Sequence, residues 1–97
     1  MNLNAAITIR YGGTYSATFT SGHISQKVKL QIIPSGYTPV AVLGLNFAST
    51  FFTMVGDGAM VDDGTYFYLS ARHISEPDYN GTFNISALVM YVKSELL

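Results

Sequence analysis

The chain contains two histidines and no cysteine, which limits the metal and nucleophile chemistry open to its side chains. His23 and His73 lie far apart, and neither belongs to a metal-ligand spacing. No serine lies in the strand–turn–helix context of a nucleophile elbow, and no glycine-rich loop opens a helix. We therefore interpret both histidines as structural, and we expect a non-enzymatic protein without a metal or other cofactor.

Acidic residues gather in two polar segments, 56–64 and 75–81. Carboxylates on adjacent loops can bind calcium through their oxygens, although the spacing here does not match a calcium-binding loop. Aspartate also forms solvated turns without any metal, so both interpretations stay open. Because exposed loops commonly carry recognition, we expect these segments to form the outward partner contact. The predicted contact residues are Asp57, Asp62, Asp63, Glu76, Asp78, Tyr79 and Asn80.

Tyrosine is the other residue type suited to binding. The chain has seven tyrosines and no tryptophan, and tyrosine offers a broad contact area together with a hydroxyl group. Tyr66, Tyr68 and Tyr79 are therefore candidates for contact with a saccharide or a protein. The alternative is that they lie in the core or at a subunit seam, with their hydroxyl groups at the rim.

Short runs of alternating apolar and polar residues must position these side chains. Odd positions are apolar from Leu3 to Tyr11 and again at 15–19, and a third run covers about 25–33. A period of two is typical of β-strands with one face buried. Gly12-Gly13 resembles a tight hairpin turn, and it predicts that residues 3–11 pair with residues 14–20. Asp57-Gly58 and Asp63-Gly64 predict further turns.

Two stretches are apolar at both odd and even positions: residues 40–48, and residues 87–92 at the end of the predicted strand 82–93. A strand that is apolar on both faces is covered on both, either by the opposite sheet or by a neighbouring subunit. We expect part of this surface to form a subunit seam. The predicted seam residues are Val40, Val42, Leu45, Phe47, Leu88, Met90 and Val92.

The spacing of the turns, about every 8–12 residues, and the absence of a sustained helical period indicate an all-β fold. We predict an antiparallel β-sandwich or jelly roll of about seven or eight strands, with residues 1–97 forming a single domain.

Charged residues make up 11% of the chain and apolar residues 48%. The usual charged share is about 25%, so we expect apolar surface to be buried in a homo-oligomer. A monomer coated with Thr, Ser, Asn and Tyr is the alternative. The net charge of −1 gives no electrostatic attraction to nucleic acid or to anionic membranes. The first residues do not resemble a signal peptide, and no apolar stretch is long enough to predict membrane insertion.

Residues 35–44, SGYTPVAVLG, resemble a stretch found in small β-sandwich domains of bacteriophage and prophage virion proteins. Strands similar to 66–73 and 85–93 follow in that family, so the resemblance covers residues 27–93. It implies a virion component without catalytic residues: a head or tail fibre, a capsid decoration protein, a tail-accessory protein or a receptor-binding module. The implied partners are further copies in a homotrimer, other virion proteins, and a glycan or protein of the host surface.

A carbohydrate-binding β-sandwich module is the second functional hypothesis, because tyrosines and Asp/Asn-containing loops suit sugar recognition. The two hypotheses are compatible if the particle adheres to host glycans.

Overall fold

A computed structural model describes residues 6–47, 54–61 and 65–97. These residues form two three-stranded antiparallel sheets, in the orders β1-β6-β3 and β2-β5-β4, which confirms the predicted all-β sandwich. The described residues contain six strands rather than seven or eight, because the first two predicted strands are one. The strands are β1 (Ile7–Phe19), β2 (His23–Lys29), β3 (Tyr37–Phe47), β4 (Met54–Val61), β5 (Tyr66–His73) and β6 (Gly81–Lys93), and a 3-10 turn follows at Ser94–Leu96.

The core lies between the two sheets and follows the period-of-two pattern. On β5, Phe67, Leu69 and Ala71 point inward, and Tyr66 and Tyr68 point outward, as the alternation predicts. Apolar side chains at every second position of β5 and of the second half of β6 line the space between the two sheets. The fully enclosed side chains of the core are Tyr91, Phe19, Phe67, Ile24, Leu69, Ile85 and Val89.

The Gly12-Gly13 pair is not a hairpin turn, and this part of the prediction is wrong. The two glycines lie inside β1, where Tyr11 pairs with Leu88 and Thr14 pairs with Ser86. Two residues of β1 therefore stand opposite the single Ala87 of β6, which is a β-bulge. Gly13 has a φ of 129°, a conformation that favours glycine. A β-bulge and a two-residue hairpin both use glycine, so the dipeptide alone does not distinguish them.

The extra residue moves the side chains of β1 from one face to the other. Before the bulge, Ile7, Ile9 and Tyr11 point away from the core and are 54%, 53% and 51% exposed. After the bulge, Tyr15 and the odd positions that follow it are buried. A shift of one residue exchanges the two faces of a strand, so the same odd-numbered pattern serves opposite faces in the two halves of β1.

Hydrogen bonds from the segment after β2 hold the bulge in place. The Tyr15 hydroxyl donates to the Gly12 carbonyl at 2.7 Å and accepts from the Gln31 N–H at 3.0 Å. The Gln31 side chain accepts from the Thr14 N–H at 3.2 Å and donates to the Thr14 carbonyl at 2.7 Å. The Ile32 N–H also donates to the Gly12 carbonyl, at 3.1 Å. The Gly12 carbonyl and both backbone groups of Thr14 are thereby satisfied at the bulge.

The apparent two-sided apolar character of β3 also comes from bulges. The register with β6 slips between Pro39 and Ala41 and again between Val42 and Gly44. Each slip inserts one residue and resets which positions face inward. As a result Val42, Leu45 and Phe47, opposite Val89, Ala87 and Ile85, pack against the core of the same chain. Their predicted place in a subunit seam is therefore corrected.

The predicted turn at Asp57-Gly58 is also wrong, because both residues lie within β4 and pair with Ser70 and Leu69. A Cβ atom on Gly58 would lie 2.9 Å from Cγ1 of Val42 and 3.1 Å from Cδ2 of Phe67. The glycine thus lets β4 approach the core closely rather than reverse the chain. The Asp63-Gly64 turn lies outside the described residues.

Gly12→Ala should destabilise the fold by about 1–3 kcal/mol, because overpacking a filled site displaces its neighbours. The new Cβ would lie 2.9 Å from atoms of Leu30, Val89 and Tyr91. Gly44→Ala, in the same sheet, is the matched control. Its Cβ meets nothing within 4 Å, so we expect its stability to be unchanged or slightly raised. Urea unfolding of both variants measures the difference, and equal stability would contradict the packing of Gly12.

Stability should also fall as the pH rises above about 10. Burial raises the pKa of Tyr15 above 10.0, partly opposed by the hydrogen bond from the Gln31 backbone. Burial and the nearby Tyr15 raise the pKa of Tyr91, opposed by Arg10. Above pH 10 the unfolded chain loses these protons first, so the free energy of unfolding decreases with pH; below pH 10 this contribution is fully present. Urea midpoints between pH 8 and pH 11.5 should show a smaller decrease for Tyr15→Phe than for the exposed-site control Tyr11→Phe.

Candidate binding face

The outer face of the β2-β5-β4 sheet, called here the binding face, is polar. Antiparallel register sets its side chains in rows across the strands, since residues directly opposite share a face. Four rows are described along β5, from Arg72 to Tyr66. The rows are His23 with Arg72; Ser25 with Ser70 and Asp57; Lys27 with Tyr68 and Ala59; and Lys29 with Tyr66.

A depression of about 490 Å³ lies at one end of the binding face. The backbone around Gly56 and Ala71 and the side chains of His23, Asp57, Ser70 and Arg72 line it. All four of these side chains belong to residues that are exposed to solvent. The depression is thus an open, polar site rather than an enclosed apolar cavity.

The binding face gathers positive charge in a chain that is negative overall. It holds three of the five Lys and Arg residues, namely Lys27, Lys29 and Arg72, and Asp57 is the acidic residue that faces them among the described residues. The Lys27 Nζ lies 4.6 Å from the centroid of the Tyr66 ring, a cation–π distance. The two lysines of β2 therefore lie beside the two aromatic rings of β5.

Both tyrosines of β5 that the sequence suggests for binding lie on this face. Tyr68 is 42% exposed, and its hydroxyl makes a hydrogen bond with Oγ of Ser25. That bond joins Tyr68 on β5 to Ser25 on β2. Tyr66 is half-buried beside Lys27.

The ring of His23 is held by a hydrogen bond with the backbone. Its Nδ1 lies 3.0 Å from the Ser21 carbonyl oxygen. Because a carbonyl oxygen only accepts, Nδ1 carries a proton and Nε2 is directed elsewhere. This hydrogen bond orients the His23 ring as a polar contact at the edge of the depression.

His73 has the structural role predicted for it. It is 3% exposed, its Nδ1 accepts the Glu76 N–H at 3.1 Å, and its Nε2 lies 3.9 Å from the Glu76 carboxylate. The Tyr79 ring stacks on it at 4.9 Å, and Phe19 contacts it edge-on at 5.9 Å. His73 therefore anchors the loop that follows β5.

Two residues of that loop, Tyr79 and Asn80, make contacts within the chain that differ from the predicted outward contact. Tyr79 packs against the core beside Phe19 and Phe83, so it is an anchor instead of an outward contact. Asn80 accepts the Ser21 N–H at 3.1 Å through Oδ1 and donates to the Asp78 carbonyl at 3.0 Å. These contacts join the loop to the β1–β2 turn.

The other predicted contact residues are dispersed. Asp57 lies in the binding face on β4 rather than in a loop, whereas Glu76 and Asp78 are exposed on the loop before β6. Asp62 and Asp63 lie outside the described residues. Within the ranges 6–47, 54–61 and 65–97, no three His, Asp or Glu residues form a group that could hold a metal ion, including calcium.

Sequence reasoning missed the depression because its side chains come from three strands. His23 and Arg72 are far apart in the chain and meet only through the β2–β5 register. The available signal is the alternation of His23, Ser25, Lys27 and Lys29 on β2, which indicates a polar outer face. It does not show which strands lie beside β2.

Comparison of the chain with protein-family models, curated proteins and solved structures finds no match. None of the described residues belongs to a helix long and apolar enough to cross a membrane.

Tyr79→Ala should destabilise the protein by about 2 kcal/mol, because it removes a half-buried ring from contact with His73, Phe19 and Phe83. Tyr79→Phe keeps the ring and should change stability by no more than about 0.5 kcal/mol. Thermal or urea unfolding of the two variants separates ring packing from the hydroxyl group. If the free energy of unfolding of Tyr79→Ala equals that of the parent protein, Tyr79 does not anchor the loop.

Proposed function

We propose that the protein is a non-enzymatic structural component of a bacteriophage virion that assembles as a homo-oligomer. A capsid decoration protein, a head-fibre protein and a tail-accessory protein are the forms that the family resemblance implies, and a homotrimer is the implied stoichiometry. Its partners are further copies of the chain, other virion proteins and the host surface.

The observation that carries this proposal is an apolar patch on the outer face of the β1-β6-β3 sheet. It contains the three apolar side chains that the bulge turns outward and the three seam residues of β6, which lie directly opposite them. Leu43, the extra residue of the second bulge in β3, is 50% exposed next to this patch. The patch residues are Ile7, Ile9, Tyr11, Leu88, Met90, Val92 and Ala41.

The chemistry of the patch favours a second copy of the chain as its occupant. The patch contains no charged residue, and charged residues are only 11% of the chain, so an identical surface is an equally apolar partner. It also combines protruding and hollow shapes. Ile7 and Ile9 are half-exposed, and a hollow of about 120 Å³ lies between Tyr11, Leu88 and Gly44. Soluble monomers rarely expose a contiguous apolar patch larger than a few hundred Å².

The outer face changes character at the bulge, which limits the extent of the contact. Beyond it, the outward positions of β1 and β6 carry only Thr, Ser and Asn: Thr14, Ser16, Thr18, Thr82, Asn84 and Ser86. Two of the three pairs in this polar half are bridged by side-chain hydrogen bonds, at 3.3 Å for Thr14–Ser86 and 3.0 Å for Thr18–Thr82. These hydroxyl groups are satisfied within the sheet, and we expect this half to stay in solvent.

Ile9→Lys tests the self-association. Multi-angle light scattering of the parent protein should give a multiple of the 10.5 kDa chain mass, with three copies as the expected value. Ile9→Lys introduces a positive charge on the patch of every copy. These charges repel one another when the patches associate, so the variant should be monomeric. Ser16→Lys introduces the same charge on the same face of β1, in the polar half, and should leave the mass unchanged.

A monomeric parent protein at high micromolar concentration would refute the assembly, as would equal effects of the two lysine variants. Ile9→Thr keeps a β-branched residue and serves as a second variant if Ile9→Lys does not fold. The virion assignment is tested separately by mass spectrometry of purified particles from a strain that encodes the chain. Absence of the chain from those particles would refute it.

A further inference from the structure

The depression on the binding face contains a cation and a carboxylate that are not paired with each other. Arg72 and Asp57 both line it and both are exposed. Between described residues, the ion pairs join His73 to Glu76 and Lys93 to Glu95. Asp57 on β4 stands opposite Ser70 on β5, and Arg72 follows two residues later on β5. An anion-binding group and a strong hydrogen-bond acceptor therefore lie side by side in one open site.

These two groups select a particular ligand chemistry. A guanidinium group binds a carboxylate or phosphate through two parallel N–H donors. The Asp57 carboxylate repels additional negative charge and so disfavours a doubly charged phosphate. The same carboxylate accepts hydrogen bonds from hydroxyl groups, and Ser70 and His23 can donate or accept further ones. A ligand with one carboxylate and several hydroxyl groups matches all of these side chains.

We infer that this depression binds an acidic saccharide, with Arg72 contacting the sugar carboxylate and Asp57 accepting hydrogen bonds from sugar hydroxyl groups. Its volume of about 490 Å³ lies within the range of about 300–1,000 Å³ that is typical of small-ligand sites. Tyr68, two rows away from Arg72, is 42% exposed and offers its aromatic ring to the apolar side of the sugar.

The inference is independent of the proposed self-association. The binding face belongs to the β2-β5-β4 sheet, whereas the apolar patch belongs to the outer face of the β1-β6-β3 sheet. The two outer faces of a sandwich point in opposite directions. Loss of saccharide binding and loss of oligomerisation can therefore be measured in separate variants.

The test is an NMR titration of the ¹⁵N-labelled full chain with two acidic probes that each carry one carboxylate, 3′-sialyllactose and galacturonic acid. Lactose is the neutral counterpart, and inorganic phosphate is the simple anion. At least one acidic probe should shift the amide signals of His23, Asp57, Ser70 and Arg72 at low millimolar concentration. Lactose and phosphate should bind at least about tenfold more weakly, because lactose has no carboxylate and phosphate has no sugar hydroxyl groups.

Arg72→Gln should weaken binding of the acidic probe at least about tenfold. Arg10→Gln removes the same charge from an exposed position on β1 and should bind as the parent does. Asp57→Asn removes the repulsion of a second negative charge, so this variant should gain measurable phosphate binding. The spectrum of each variant also reports whether it is folded.

The inference would be overturned by no shift with either acidic saccharide, by equal binding of lactose and 3′-sialyllactose, or by equal losses in Arg72→Gln and Arg10→Gln. Shifts confined to residues outside the binding face would overturn it as well. Each of these outcomes leaves the self-association test unaffected.

Discussion

One extra residue in β1 determines how the chain divides its side chains between core and surface. The bulge at Gly12-Gly13 lets a single strand bury Tyr15, Ala17 and Phe19 while it exposes the apolar residues before it. The Tyr15 hydroxyl and the Gln31 side chain hold the bulge by hydrogen bonds that are largely shielded from water on the Tyr15 side. Without this insertion, the first half of β1 would turn its apolar side chains inward. The apolar patch is thus a product of backbone geometry as much as of composition.

The two sheets consequently present outer faces of different chemistry. The outer face of the β1-β6-β3 sheet is apolar at one end and covered with hydroxyl groups at the other, whereas the β2-β5-β4 sheet carries lysine, arginine and tyrosine. Each outer face suits a different kind of partner: an equally apolar surface for the first, and a polar, charged ligand for the second. This division would let so small a chain, with only 11% charged residues, make both of the proposed contacts.

The alternating pattern predicted the fold class and the two faces of β5, because a regular strand obeys a period of two without exception. It did not predict the bulges. In β1 the odd positions are apolar on both sides of the bulge, so the pattern looks unbroken although the face has changed. In β3 the bulge residues Val40 and Leu43 are apolar as well, and the strand looked covered on both faces. The depression was beyond sequence reasoning because His23, Asp57 and Arg72 meet only through the pairing of three strands.

The position of β6 at the centre of its sheet has a consequence for how the chain folds. Among the described residues, β1 and β3 each pair with β6 and not with each other, and Ile7 at the start of β1 pairs with Val92 near the end of β6. During synthesis β1 therefore stays without its partner strand until β6 has emerged from the ribosome. Contacts of such long sequence separation make folding slow. Until β6 is available, β1 can associate with other nascent chains. The hairpin of β4 and β5 is the part of the sandwich that can form early.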